Sequence, residues 1–128
     1  MTSRYPLTIA GTTIEEMQNG CLLYTYYTSS AGGNFTVNFR GSSGTTLASL
    51  MAVGDAISVS FLNTNGSSAY YNSAVQVDGT GTGVTTKWQG GTAPTSGNAS
   101  AVDVYNYVII KTAATPTYTV LASQTKFA

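Results

Sequence analysis

The sequence predicts an all-β fold, in which a single domain of two packed sheets forms an antiparallel β-sandwich. Three observations support this fold class. Apolar and polar residues alternate with a period of two in several segments. Pairs of glycine, asparagine and aspartate recur between those segments as turn signals. The composition, 42% hydrophobic and 8% charged, supplies a core and a polar but uncharged surface.

The predicted strands recur about every 10–15 residues, a spacing typical of immunoglobulin-like and jelly-roll sandwiches. Residues 21–28 are rich in tyrosine and leucine without clean alternation, which indicates a strand covered on both faces. Residues 35–40 and 57–61 alternate apolar with polar side chains, so each predicts a strand with one buried face. Residues 75–77 continue this pattern up to the Asp78-Gly79 turn signal.

The second half of the chain contains the strands that we expect in the core. Residues 102–110 form a long β-branched and aromatic run, which makes them the best candidate for a central strand. Residues 118–127 predict the last strand. Residues 79–91 carry the weakest structural signals, and a loop over residues 92–100 follows them. A loop of this length around Trp88 suggests a functional or interface role.

Two short segments predict helical turns, and one dipeptide predicts a hairpin. Residues 13–16 have the spacing of a capping box, with Gly20 as a stop signal. Residues 47–51 place apolar side chains at helical spacing. The Asn65-Gly66 pair tolerates the positive φ angles of a tight hairpin turn, which would lead into a strand near Tyr70.

Charge and residue types exclude several classes of function. Five basic and five acidic residues give a net charge of zero, which excludes a nucleic-acid binder that works through a basic patch. The chain has no histidine, so Ser-His and Cys-His catalytic pairs are absent. Its single cysteine, Cys21, cannot form an internal disulfide. We therefore expect no enzymatic activity, no catalytic residue, no metal, no cofactor and no nucleic-acid partner.

The N-terminus has no continuous apolar stretch that would indicate a signal peptide, and no apolar run is long enough to cross a bilayer. We expect neither secretion by a signal peptide nor membrane insertion.

The tyrosines and the single tryptophan are the residues best suited to binding, because each joins an apolar body to a polar tip. Three interpretations are open: the rings fill the core, they form a subunit interface, or they form a platform for a sugar. Trp88, beside Gly90-Gly91, is better placed for an interface than the strand tyrosines are. A glycan platform would pair Trp88 with an exposed Tyr105 or Tyr107.

Several segments resemble virion structural proteins of tailed phages, chiefly those that infect marine cyanobacteria. The most distinctive is TKWQGGTAPTSGNA at residues 86–99. The others are SAYY at 68–71, VDG at 77–79, DVY at 103–105, IIKT at 109–112, YTVLASQTKF at 118–127, RYPL at 4–7 and GTTIEEMQ at 11–18. The opening segments are similar to those of fibre-like and appendage proteins.

The resemblance implies a non-catalytic virion component that is made in the host cytoplasm. We expect a homo-oligomeric capsid decoration or cement protein, which binds itself and major capsid or tail proteins through many weak contacts. Uncharged short side chains suit this role, because they lose little rotamer entropy when a neighbour orders them. Two alternatives stay open: a receptor- or glycan-binding module of a head or tail fibre, which would bind a host surface glycan, and a tail or connector component.

The contact residues expected from this reasoning lie in three places. Residues 1–12 predict an extended N-terminal arm that adds a strand to a neighbouring subunit, ahead of a β-sandwich domain over residues 13–128. The other two places are the tyrosine pair at residues 70–71 and the loop over residues 87–98. The candidate interface residues are Tyr5, Leu7, Ile9, Tyr70, Tyr71, Lys87, Trp88, Gln89 and Asn98.

Overall fold

The computed structural model describes residues 4–9, 12–18, 23–28, 33–41 and 44–127, and it gives the first three strands by their backbone pairing. The described chain forms two sheets and one short helix. In chain order the elements are β1 Arg4–Ile9, β2 Thr12–Gln18, β3 Leu23–Thr28, β4 Phe35–Phe39, α1 Leu47–Leu50, β5 Ala56–Thr64, β6 Asn72–Val77, β7 Val84–Trp88, a 3₁₀ turn Gln89–Gly91, β8 Val102–Ala113 and β9 Thr117–Phe127.

The two sheets pack face to face, which confirms the prediction of an all-β sandwich. The smaller sheet has the order β2-β1-β4-β6 and the larger has the order β3-β5-β8-β9-β7. Aromatic rings join the two sheets: Phe39 of β4 meets Tyr107 of β8 edge to face at 5.1 Å, and Phe35 meets Tyr105 at 5.8 Å. Such edge-to-face pairs add to the burial of the rings. The predicted strand at 102–110 lies in the middle of the larger sheet, as expected.

The prediction that the strands are antiparallel holds for only part of the structure. The pairs β1–β2, β1–β4, β5–β8 and β8–β9 are antiparallel. The pairs β3–β5, β4–β6 and β7–β9 are parallel. The reason is the path of the chain, which alternates between the sheets from β2 to β7. A strand that returns to its sheet after one pass through the other sheet runs parallel to the strand it left, which accounts for β3–β5 and β4–β6. Strands β7, β8 and β9 follow one another within the larger sheet, and β7 and β9 run parallel because the chain reverses direction twice between them.

The same path makes the predicted Asn65-Gly66 hairpin wrong. Strand β5 lies in the larger sheet and β6 lies in the smaller one, so residues 65–71 cross from one sheet to the other. Packed sheets lie about 10 Å apart, a distance that a two-residue turn does not span. Asn65 and Gly66 have no positive φ, unlike Asp78 and Gly79, whose φ angles of 52° and 81° form the tight turn predicted there.

The predicted helical turn at residues 13–16 is also wrong, because Thr12–Gln18 forms β2 and pairs with β1. The β-branched residues that begin this segment favour a strand, and so short a helix is marginal without tertiary support. The other expected helix is present as α1, a single turn. Opposite charges stabilise its two ends. The Asp78 carboxylate accepts from the Leu47 and Ala48 amides (2.6 and 3.1 Å), and Lys111 Nζ donates to the Ala48 and Met51 carbonyls (both 2.8 Å).

The segment predicted to be least structured, residues 79–91, contains a strand. Val84–Trp88 forms β7, which pairs with β9 at the edge of the larger sheet. Its alternation is hidden in the sequence, because threonine and lysine occupy the positions between Val84 and Trp88. These two apolar residues pack against the core. As a result, Trp88 is held by a strand and is not carried on a free loop.

Candidate functional site

The side chain of Trp88 is anchored at the edge of the sandwich. It ends β7, lies half-buried, and meets Tyr107 edge to face with ring centroids 6.4 Å apart. The residues on either side of it, Lys87 and Gln89, are exposed. The structure therefore brings these three predicted contact residues together. Trp88 supplies a fixed apolar body, and its neighbours supply a cation and an amide at the surface.

Two open depressions flank these residues. The first has a volume of about 310 Å³ and lies between Lys87–Gln89 and the outward side chains Asn106, Val108, Leu121 and Ser123 of β8 and β9. The second, of about 270 Å³, lies between Trp88 and the following loop. We call Lys87, Trp88 and Gln89, together with the two depressions, the Trp88 surface. The sequence analysis did not predict the β8 and β9 residues of the first depression. Apolar residues at the outward positions of β8, such as Val108, were a sign that this face could be part of a site.

The lining of the Trp88 surface is suited to binding. It consists of apolar, hydroxyl and amide side chains, with Lys87 as its charged residue. The described residues that line the two depressions include no carboxylate, thiol or imidazole, so they offer no general base of those types. Among the described residues, no three acidic or cysteine side chains gather where they would hold a metal ion.

A buried polar cluster at the ends of β5 and β8 holds two loops together. Asn65 Nδ2 donates to the Tyr70 and Asn98 carbonyl oxygens (3.0 and 3.3 Å) and to Asp103 Oδ2 (3.3 Å). The Asn98 amide donates to the same carboxyl oxygen at 2.9 Å. Asn63 Nδ2 donates to Asn65 Oδ1 at 3.0 Å. Two predicted contact residues, Tyr70 and Asn98, thus use their backbones to connect residues 65–71 to residues 96–101.

Asp103 is fully buried and has no cationic hydrogen-bond partner among the described residues. Burial raises the pKa of its carboxyl group, an effect that the hydrogen bond from Asn98 and the charge of Lys126 partly oppose. Its Oδ1 and the Asn63 Oδ1 that faces it across the strand pair accept no hydrogen bond from the described residues. Because the folded state binds the proton more tightly than the unfolded chain, Asp103 stabilises the fold below pH 3.8 and loses this contribution as the pH rises through its folded pKa.

The structure excludes Tyr105 and Tyr107 from any surface platform, which corrects the expectation that one of them is exposed beside Trp88. Their side chains are 0% and 1% exposed. Tyr107 donates to Asn72 Oδ1 at 2.8 Å, and the Tyr105 hydroxyl accepts from Gln124 Nε2 at 2.9 Å. Burial raises the pKa of Tyr105 to about 12 and that of Tyr107 well above its usual value. Both tyrosines belong to the core.

The remaining predicted contact residues lie away from the Trp88 surface along the chain. Tyr71 is half-buried, and its backbone amide donates to Asn34 Oδ1 at 3.2 Å, which fixes the loop beside β4. Tyr5, Leu7 and Ile9 lie in β1, which pairs with β2 and β4 of the same chain. The addition of this segment as a strand to a neighbouring subunit's sheet stays a prediction.

Comparison of the chain with models of known protein families, with characterised proteins and with solved structures finds no match. In the part of the chain that the structure describes, no helix has the length and apolar character that crossing a bilayer requires. The function is therefore inferred from the geometry of the Trp88 surface and from the sequence.

Proposed function

We propose that this chain is a non-catalytic structural protein that acts through protein–protein contacts, as a decoration or cement component of a tailed-phage capsid. The contact role is inferred mainly from the Trp88 surface. It includes Trp88, whose ring is held against Tyr107, in the lining of two open depressions on an edge strand. Buried aromatic anchors of this kind contribute most of the binding energy in protein interfaces.

The chemistry of the surrounding side chains supports contact with another protein. The first depression combines the apolar Val108 and Leu121, the latter 43% exposed, with the amide of Asn106 and the hydroxyl of Ser123. This mixture resembles an interface, which has an apolar centre and a hydrogen-bonding margin. Short neutral side chains also cost little entropy when they become ordered. The assignment to a phage particle rests on the resemblance of the segments around residues 86–99 and 118–127.

Binding to particles tests the proposal. Purified protein is mixed with phage particles that lack it, and the bound fraction is measured by co-sedimentation. We expect Gln89→Arg and Lys87→Glu, both at exposed positions, to weaken binding at least tenfold, whereas Thr115→Arg in the β8–β9 turn leaves it unchanged. Equal binding by all four proteins contradicts the role of the Trp88 surface, and lack of binding by the native protein contradicts the assignment to the particle.

One observation favours a second candidate, a glycan-binding fibre module. The second depression joins Trp88 to the amides of Gln89 and Gln124 and to the hydroxyl of Thr92. A sugar presents apolar C–H groups on its ring faces and hydroxyl groups around its edge, and these match an aromatic ring with neighbouring amides and hydroxyls. Trp88 is the single tryptophan of the chain, so its fluorescence reports this site directly. Saturable quenching by a host glycan would favour the fibre module, and its absence together with particle binding would favour the cement role.

A further inference from the structure

The outward face of the larger sheet carries one apolar pair on each side of its centre, with polar residues at the centre. Leu62 of β5 lies opposite Val104 of β8 and forms one apolar cluster. Val108 of β8 lies opposite Leu121 of β9 and forms the other. All four side chains are partly exposed. Such apolar pairs are unusual on the outer face of a sheet whose inner face already supplies the core, because outward positions are normally polar.

A row of polar residues separates the two apolar clusters. Asn106 is exposed at the centre of β8, with Ser60 of β5 opposite it on one side and Ser123 of β9 on the other. Ser60 Oγ donates to Asn106 Oδ1 at 2.7 Å, which orients the amide. Asn106 lies two residues from Val104 and two from Val108. The face is therefore close to symmetric about Asn106 in its pattern of apolar and polar positions.

This face carries almost no charge. Lys87 is the one charged side chain on the outward positions of the described strands β5, β7, β8 and β9. A neutral face of this kind offers nothing to attract a charged partner, and it does not repel a second copy of itself. The strands also give it sufficient size. Five strands spaced about 4.8 Å apart, with an average length of about 30 Å, cover on the order of 700 Å², close to the roughly 800 Å² per partner of a standard interface.

We propose that the outward face of the larger sheet binds a second copy of this chain across a two-fold axis at Asn106. The axis brings each apolar cluster onto an apolar cluster of the other copy, because the pattern repeats on either side of Asn106. It also brings two Asn106 side chains together, and a primary amide pairs with another amide through one donor and one acceptor on each. This inference rests on the proposed function. It identifies a second copy of the chain as the protein that covers the first depression, which is lined by Asn106, Val108 and Leu121.

The mass of the native protein in solution tests this inference. Sedimentation velocity over a concentration series is expected to give a species of twice the 13.3 kDa chain mass. Asn106→Arg places two cations together on the axis and is expected to weaken dimerisation at least about 30-fold. Thr115→Arg adds the same charge in the exposed β8–β9 turn and is expected to leave the dimer intact. Circular dichroism and urea midpoints confirm that each variant folds.

A second variant tests the apolar clusters without adding a charge. Leu121→Ser removes an exposed apolar side chain from one cluster and is expected to weaken dimerisation at least tenfold. A native protein that is monomeric throughout the series, or a dimer that survives both Asn106→Arg and Leu121→Ser, would overturn the inference. A native monomer that still binds particles contradicts this inference alone. A dimer that binds no particle contradicts the proposed function alone.

Discussion

Substitution of Gly97 by alanine is predicted to be among the most destabilising single changes in this chain. Gly97 is buried between the two loops that the polar cluster joins, and its φ angle is not positive. A Cβ atom at this position would overlap the Tyr70 carbonyl oxygen and would lie 2.7 Å from both Asn65 Nδ2 and Asp103 Oδ2. These neighbours are held by the backbone or by hydrogen bonds, so the overlap is relieved only if one of the loops moves.

The size of the effect follows from the bonds that such a movement breaks. The bond from Asn65 Nδ2 to the Tyr70 carbonyl oxygen (3.0 Å) joins two neutral groups and contributes about 1 kcal/mol. The bond from the Asn98 amide to Asp103 Oδ2 (2.9 Å) ends on a carboxyl group and contributes about 2 kcal/mol. We therefore expect a loss of about 3 kcal/mol in the free energy of unfolding. For a domain of this size, that loss lowers the melting temperature by about 10 °C.

Urea unfolding of matched variants measures this loss. Gly66→Ala is the control, because Gly66 lies in the partner loop, has no positive φ, and has open space at its Cβ position. We expect this control to change the free energy of unfolding by less than about 1 kcal/mol, and to raise it if it changes at all. If Gly97→Ala is as stable as Gly66→Ala, the two loops do not pack as described and the reasoning is refuted.

Three further variants test the buried polar groups. Asp103→Asn puts an N–H where the carboxyl group has its unpartnered oxygen. In the native protein, the contribution of Asp103 to the free energy of unfolding declines as the pH rises, and we expect urea unfolding between pH 4 and 8 to show that Asp103→Asn has lost this decline while the exposed Asp55→Asn keeps it. An unchanged pH profile in Asp103→Asn contradicts the assignment of the decline to Asp103. Lys111→Met leaves the carbonyl oxygens of Ala48 and Met51, at the end of α1, without their donor, and we expect a loss of about 2 kcal/mol against no loss in the exposed Lys87→Met. Tyr107→Phe removes the donor to a buried amide oxygen of β6, with an expected loss of about 1–3 kcal/mol by thermal or urea unfolding, and a neutral result would show that this bond does not stabilise the core.

Local sequence patterns predicted most of the strands because alternation reports directly which face of a strand is buried. The segments at 35–40, 57–61 and 102–110 were recognised in this way and form β4, β5 and β8. The pairing of strands was not predictable in the same way. Which sheet a strand joins depends on long-range packing, and the switch between sheets at Asn65-Gly66 leads to the parallel pair β4–β6, which no local signal marks.

The candidate site was predicted in part. Aromatic character and a glycine-rich neighbourhood singled out Trp88, and the structure places it beside two depressions. The residues that β8 and β9 bring to it, such as Asn106 and Leu121, are far away in the sequence and meet Trp88 only through the β7–β9 pairing. The sequence does not single out Asp103, because its buried partners come from loops whose packing the sequence does not reveal.

An electron cryomicroscopy map of a particle that contains this protein would show whether the protein works by contact through the Trp88 surface. We expect Lys87, Trp88 and Gln89 to be covered by a neighbouring subunit in the assembled particle. If these residues face solvent while a different surface holds the protein in the particle, the Trp88 surface is not the contact site.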